Sequence, residues 1–307
     1  MTDASAKNKK KSAPAFHSGY VAILGRPNVG KSTLLNRILG EKVAIVSPKP
    51  QTTRNRVSGI RTTEKSQIIF IDTPGIHQGH SLINRRLMDT ALQTLDDVDG
   101  VVWLLDAHDR IKQDEERIAE TLRGVKTPVL IVLNKIDLVA KSRLLPLMEK
   151  CAALLPGKEI VPVSALKGEG LDIVLEIAEG WLPEGPQYFT QGEHTDQTER
   201  FLASEIVREK VFLLTREEIP YGVAVTIDEF TEKEEKNLIV IAATIHTERD
   251  SHKGILIGKH GSMLKEIGKQ AREDLEGLLG CRIFLELFVR VDPGWTQDPR
   301  ALTEMGL

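Results

Sequence analysis

Cysteine is nearly missing from this chain. Cys151 and Cys281 are the two copies in 307 residues, and they fall in different segments without metal-ligand spacing. A disulfide scaffold is thereby excluded, and a reducing cytosol is the expected compartment. No apolar run comes near the roughly 20 residues that a membrane-spanning helix needs. A secretory leader is lacking as well, because Lys9-Lys10-Lys11 lead into Ser12-Ala13-Pro14 rather than an apolar stretch. Net charge is small: 41 Lys and Arg stand against 44 Asp and Glu, leaving −3. No overall field attracts polyanions, so nucleic-acid contact would require a local patch. What remains, 41% hydrophobic and 28% charged residues, is the composition of a soluble globular protein long enough for two domains. Residues 1–17, with Lys7, Lys9, Lys10 and Lys11, read as a disordered basic tail.

The strongest signal is Gly25-Arg26-Pro27-Asn28-Val29-Gly30-Lys31-Ser32. It follows an apolar strand, Tyr20–Leu24, and opens a helix that Gly40 ends. A G-x-x-x-x-G-K-S loop between strand and helix is a phosphate-binding loop: glycines let backbone N–H groups wrap an anion, and the helix N-terminus adds positive potential. Lys31 reaches the β- and γ-phosphates, and the Ser32 hydroxyl ligates Mg²⁺.

Three further loops complete a guanine-nucleotide site. Gln51-Thr52-Thr53-Arg54 lies in an exposed, proline-flanked loop of the kind nucleotide switches use. Thr53 is preferred over Thr52 as the second hydroxyl on Mg²⁺. Asp72-Thr73-Pro74-Gly75 ends a strand. Asp72 is expected to bind Mg²⁺ through water, and the Gly75 N–H to meet the γ-phosphate. Asn134-Lys135-Ile136-Asp137 ends another strand; the Asp137 carboxylate accepts from N1–H and N2–H₂ of guanine, a donor pair adenine lacks. Ser164-Ala165 ends the last strand, with the Ala165 N–H as the donor to guanine O6. Strands alternating with helices predict an α/β P-loop domain over 18–184, its six-stranded sheet mostly parallel, with all four loops at one edge.

Catalysis is less clearly written. Ras-type GTPases carry a water-orienting Gln directly after the D-x-x-G element, whereas this chain has Ile76. Slow intrinsic hydrolysis is expected, with Lys31, Thr53, Gly75 and Asn28 as the catalytic set. Asn28 is a candidate for holding K⁺ where an arginine finger otherwise acts; the simpler role is a hydrogen bond within its own loop. His77 and His80 read as mobile surface histidines.

Residues 185–198 read as a linker and 298–307 as a C-terminal tail. Between them, 199–297 predict the order α-β-β-α-α-β, with the turn Gly258-Lys259-His260-Gly261 between two helices. That pattern is an α+β type II KH domain, whose G-x-x-G loop clamps about four nucleotides of a single strand. Residues 199–297 contain 14 Lys and Arg against 18 Asp and Glu, yet 252–272 hold Lys253, Lys259, Lys265, Lys269 and Arg272 against Glu266 alone. A basic island on an acidic domain is a directed anion site. Lys253, Gly254 and Lys265 belong to it with the Gly258–Gly261 turn, and bases are expected along Ile255, Leu256 and Ile257.

The nucleotide motifs followed by this KH pattern resemble the Era family, bacterial Ras-like GTPases with a C-terminal KH domain, over roughly residues 18–297. Pro50–Arg54, Asp72–Ile76 and Gly254–Lys259 carry the resemblance. It implies GTP hydrolysis and binding near the 3′ end of small-subunit (16S) ribosomal RNA. It also implies a part in small-subunit assembly, and peripheral contact with the cytoplasmic face of the inner membrane; separately, a monomer is expected. Two competing readings are a nucleotide-gated RNA scaffold with negligible turnover and an ATP-dependent enzyme; Asp137 argues against the second.

Overall fold

The computed structural model describes residues 15–47, 49, 52–76, 82–216 and 219–307. Gln51, His77 and His80 lie outside the described residues, as does most of the basic tail. The first sheet contains β1 (His17–Gly25), β2 (Val57–Thr62), β3 (Ser66–Asp72), β4 (Gly100–Asp106), β5 (Val129–Asn134) and β6 (Ile160–Pro162). Their order is β2-β3-β1-β4-β5-β6; only β2 runs antiparallel to its neighbour. Helices α1 (Lys31–Leu39), α2 (Leu82–Gln93), α3 (Gln113–Arg123), α4 (Leu144–Leu154) and α5 (Leu171–Glu179) complete the domain.

Both faces of the sheet are covered, which is why its central strands are apolar throughout. Val21, Ile23, Val102 and Leu104 pack with Leu34 and Leu35 of α1 and Val174 and Ala178 of α5. Leu24, Val101, Trp103 and Ile131 pack on the other side with Ile118 and Leu122 of α3 and Cys151 of α4. The pairings Ile23↔Asp72 and Asp106↔Asn134 align the C-terminal strand ends at one edge, where open α/β sheets bind ligands.

Residues 185–198, expected as a linker, are fastened to this sheet. The Gly185 N–H donates to Phe16 O (3.0 Å), and the Ile60 N–H to His194 O (2.8 Å). Gln67 Oε1 accepts from the N–H groups of Tyr188 (2.8 Å) and Phe189 (3.0 Å).

The second domain is built from α6 (Glu199–Leu214), β7 (Val223–Lys233), β8 (Leu238–Thr247), α7 (Asp250–Ile257), α8 (Ser262–Leu279) and β9 (Arg282–Val291). Its sheet has the order β7-β8-β9, antiparallel then parallel. Val207, Val211, Ile241, Ile245, Ile267 and Leu275 form its core. Helix α6 also buries Glu205, Arg208, Glu209 and Lys210, because its remaining side faces the first domain.

The expected C-terminal tail is corrected. Residues 298–307 contain α9 (Pro299–Glu304), capped by Asp298, which accepts from the Arg300 N–H (2.9 Å). Trp295 and Leu302 are buried against Ile83 and Leu87 of α2 and Ala224 of β7. Arg86 of α2 donates to Leu307 O at 2.6 Å. The segment is therefore a strap joining the domains, and its apolar side chains explain why it does not trail into solvent.

Trp295 also donates its indole N–H to Gly222 O (3.3 Å). Trp295→Ala should cost about 3–5 kcal/mol. Urea unfolding should show a lower midpoint, and limited proteolysis should open the chain within 292–307.

Candidate functional site

The loop from β1 to α1 lines a cleft of about 360 Å³, together with Ile45, Val46, Ser47, Thr52, Thr53, Gly75 and Lys135. Lys31 is buried, and its Nζ donates to the carbonyls of Gly25 (3.2 Å) and Arg26 (3.0 Å). Burial pulls its pKa down to about 8, with the Asp72 carboxylate opposing the fall. A phosphate beside it would relieve that burial penalty. Val29 packs into the core, and Pro27 and Asn28 stand at the cleft wall.

Arg26 is expected from the motif among the nucleotide-binding residues; its side chain is not part of the cleft lining. The guanidinium turns toward α3, where it pairs with Glu115 and with Asp109 (3.1 Å). Burial opposes its charge, but the two carboxylates outweigh burial and raise its pKa.

Three oxygen-bearing residues converge at the far side of the cleft. Ser32 Oγ donates to Asp72 Oδ2 at 2.6 Å and lies 2.9 Å from Thr53 Oγ1, which is 3.3 Å from the same carboxylate oxygen. Asp72 Oδ1 is buried and has no hydrogen-bond partner among the described residues. Burial raises the Asp72 pKa against the pull of Lys31, Ser32 and Thr53. Hard oxygen donors around an unsatisfied buried carboxylate fit Mg²⁺. The Thr52 hydroxyl is turned away, donating to Lys49 O (2.8 Å).

Thr73 Oγ1 donates to Ile23 O (2.8 Å), securing the Asp72–Gly75 turn to β1. The Ile76 N–H donates to Gly25 O (3.1 Å), while its side chain is buried with the α2–α3 core. Gly75 lies against Pro27: a Cβ there would stand 2.6 Å from Pro27 N. No larger residue fits this approach of the two loops.

At the base-reading end, Asn134 Nδ2 donates to Val29 O (2.7 Å), and Lys135 Nζ donates to Asn28 O and to Asp106 (both 2.6 Å). Ser164 Oγ donates to Asp137 Oδ1 (2.7 Å) and orients that carboxylate. Ile136 packs its side chain into the core. The Ala165 N–H, the expected donor to guanine O6, donates to Asn134 Oδ1 at 3.0 Å. Guanine O6 would have to share it.

In the second domain, Gly258 (φ 73°), His260 (φ 53°) and Gly261 (φ 77°) make the turn between α7 and α8. A Cβ on Gly258 would meet Met263 at 2.8 Å, so both backbone angle and space demand glycine. Lys259, His260 and Lys265 are exposed, Lys253 is half-buried beside exposed Gly254, and none of the three lysines is ion-paired among the described residues. The expected base-facing run is corrected at Leu256, which is fully buried in the core. Ile255 is 50% exposed and Ile257 half-buried, so these two carry the apolar surface.

Two contributors are not picked out by the sequence motifs. Asp106 ends β4 and tethers Lys135; an Asp closing an apolar strand beside the N-K-x-D strand is the available signal. The charged face of α6 reaches Lys42, Val46 and Thr52. Its signal is a helix whose polar residues do not fall on one side.

The 50S ribosome-binding GTPase family matches residues 20–135, and the KH domain family matches 218–296. The chain is similar to GTPase Era of Syntrophus aciditrophicus, 53% identical with 95% of each chain covered. It is similar also to GTPase Era of Geobacter metallireducens, 52% identical over 95% of this chain and 98% of that one. Among solved structures, a point variant of Aquifex aeolicus Era bound to GDP·AlF₄⁻ superposes with a TM-score of 0.91 at 43% identity. Era in complex with MgGDPNP and nucleotides 1506–1542 of 16S ribosomal RNA superposes with a TM-score of 0.91 at 42% identity. Each comparison covers 95% of this chain and 99% of the solved one.

Lys31 generates a pH signature. In the nucleotide-free protein its proton leaves as pH rises through about 8, whereas bound phosphate retains it. GDP affinity should be flat from about pH 6.5 to 7.5 and weaken above pH 8, approaching about tenfold per pH unit. Calorimetric titration in buffers across this range checks it.

Proposed function

The chain belongs to the Era family of GTPases, and on that premise we propose that it binds the 3′ end of small-subunit ribosomal RNA through its KH domain, with GTP state controlling that grip during small-subunit assembly. The GTPase activity itself comes with family membership, which removes the reading of a scaffold without turnover. The observation that carries the coupling is Arg54, adjacent to Thr53. Its guanidinium crosses to the KH domain and donates to the carbonyls of Val223 (2.7 Å), Tyr221 (2.8 Å) and Pro220 (3.2 Å). The loop that completes the metal shell is thus bonded to the start of β7. Movement of Thr53 when the γ-phosphate leaves is transmitted to the RNA-binding domain through that bond.

Ser32, Thr53 and Asp72 would hold Mg²⁺, which supplies charge neutralisation between the β- and γ-phosphates. Lys31 balances the same charge, Asp137 selects guanine, and the Gly75 N–H meets the γ-phosphate. Ile76, buried, does not orient water. Asn28, which lines the cleft, would help hold K⁺ beside the phosphates. The RNA backbone would meet Lys259, His260 and Lys265 around the glycine turn, with bases over Ile255 and Ile257. No helix among the described residues is long and apolar enough to cross a membrane; residence in the cytoplasm, with peripheral contact at the inner membrane, belongs to the same proposal.

An oligonucleotide matching the 3′ end of 16S RNA should bind at least about tenfold tighter to the GDPNP complex than to the GDP complex, a coupling of about 1.4 kcal/mol. Fluorescence anisotropy at fixed salt reads this, and equal affinity would remove the coupling. Steady-state hydrolysis should be faster in K⁺ than in Na⁺ at equal ionic strength, and Asn28→Ala should abolish the difference; equal wild-type rates would end the K⁺ assignment.

A further inference from the structure

A second bond reaches the same loop from the KH side, and it acts on the peptide beside the metal ligand. Arg208 lies on α6 and is 3% exposed. Its Nε and Nη2 donate to the two oxygens of Glu205 (2.7 and 2.5 Å), and its guanidinium carbon stands 5.3 Å from the Phe212 ring centre. Held so, Nη2 also donates to the carbonyl of Thr52. That carbonyl and the Thr53 nitrogen belong to one planar peptide. Fixing the oxygen therefore sets the direction of the Thr53 N–H, while Thr53 Oγ1 itself stands 2.9 Å from Ser32 Oγ and 3.3 Å from Asp72 Oδ2.

We propose that Arg208, a residue of the RNA-binding domain, is a positioning residue for GTP hydrolysis, presetting the Thr52–Thr53 peptide for Mg²⁺ and the γ-phosphate. The inference rests on the reading of Thr53 as metal ligand and γ-phosphate sensor. Simple domain adhesion does not account for the arrangement. Arg54 and Arg208 are both buried and both flank Phe212; Glu205 is ion-paired with Arg208, and its charge also favours that of Arg54. Two buried cations on one anion are a costly way to join surfaces that apolar side chains would join more stably. The planar fork of arginine grips a carboxylate with two donors and still presents one to a carbonyl, which the point charge of lysine cannot do. The loop's other arm is held from the same helix: the Val46 N–H donates to Glu209 Oε1 (2.9 Å).

The test uses the full chain without RNA, comparing wild type with Arg208→Lys and Arg208→Gln. GDP requires no Thr53, so its affinity should stay within about twofold, whereas GDPNP affinity and kcat should fall about tenfold to hundredfold. The Mg²⁺ concentration for half-maximal hydrolysis should rise. Adding Arg208→Gln to Thr53→Ala should bring no further loss, because both changes remove one interaction. Unchanged kcat and Mg²⁺ dependence, a parallel loss of GDP and GDPNP affinity, or additivity with Thr53→Ala would each overturn the assignment. If Arg208→Gln melts early, Arg208→Lys decides by the same criteria. RNA affinity of the wild type in its two nucleotide states tests the broader coupling separately, so the two can fail independently.

Discussion

Lys31 is a cation placed where the fold offers it only backbone carbonyls as hydrogen-bond partners among the described residues. Burial makes its proton easier to lose, and the neighbouring Asp72 carboxylate, itself buried, keeps one oxygen unsatisfied. Each defect is what the other half of a magnesium–triphosphate pair would repair. The cleft is therefore preorganised at the expense of its own stability. The surrounding architecture, strand ends in register and loops bonded to one another, serves to hold those two groups in place.

The domain seam follows from the same centre. The loop carrying Thr53 has no sheet to lean on, and it borrows rigidity from α6 and the start of β7 through Arg208 and Arg54. Lys42 adds bonds to Glu209 (2.6 Å) and Asp274 (2.7 Å), and Lys49 donates to the carbonyls of Phe212 and Thr215. Val43 and Ala44 anchor the start of this loop in the apolar core, whereas its later part is held to α6 and β7 by bonds with charged side chains. The strap at 292–307 ties the domains at a second place, against α2. Both elements that flank the nucleotide loops thus touch the second domain.

The phosphate loop, the D-x-x-G turn, the N-K-x-D element at Asn134–Asp137 and the KH order are legible in the sequence because each is local: a spacing of residues that the backbone turns into geometry by itself. The strands at 100–106 and 129–134 are legible as unbroken apolar runs. What is not legible depends on contacts between distant segments. Arg26 belongs to the loop motif by position, yet Glu115 and Asp109 draw its side chain away. Leu256 lies in an apolar triplet, and helical rotation sends it inward while Ile255 turns out. Helix α4 is masked by Pro146, which sits in its first turn, where proline is tolerated.

Residue order alone sets out the groups on offer: a glycine loop between strand and helix, a carboxylate in the N-K-x-D element, the Ser32 and Thr53 hydroxyls, and a glycine turn on a basic island. These need only short-range backbone constraints and side-chain donors of the right kind. Tertiary structure decides which groups are buried, which charges are shared, and that Thr52 and Arg54 are held from the RNA-binding side. Those outcomes arise where surfaces far apart in the chain are brought together, and desolvation there sets energies that no spacing of letters encodes.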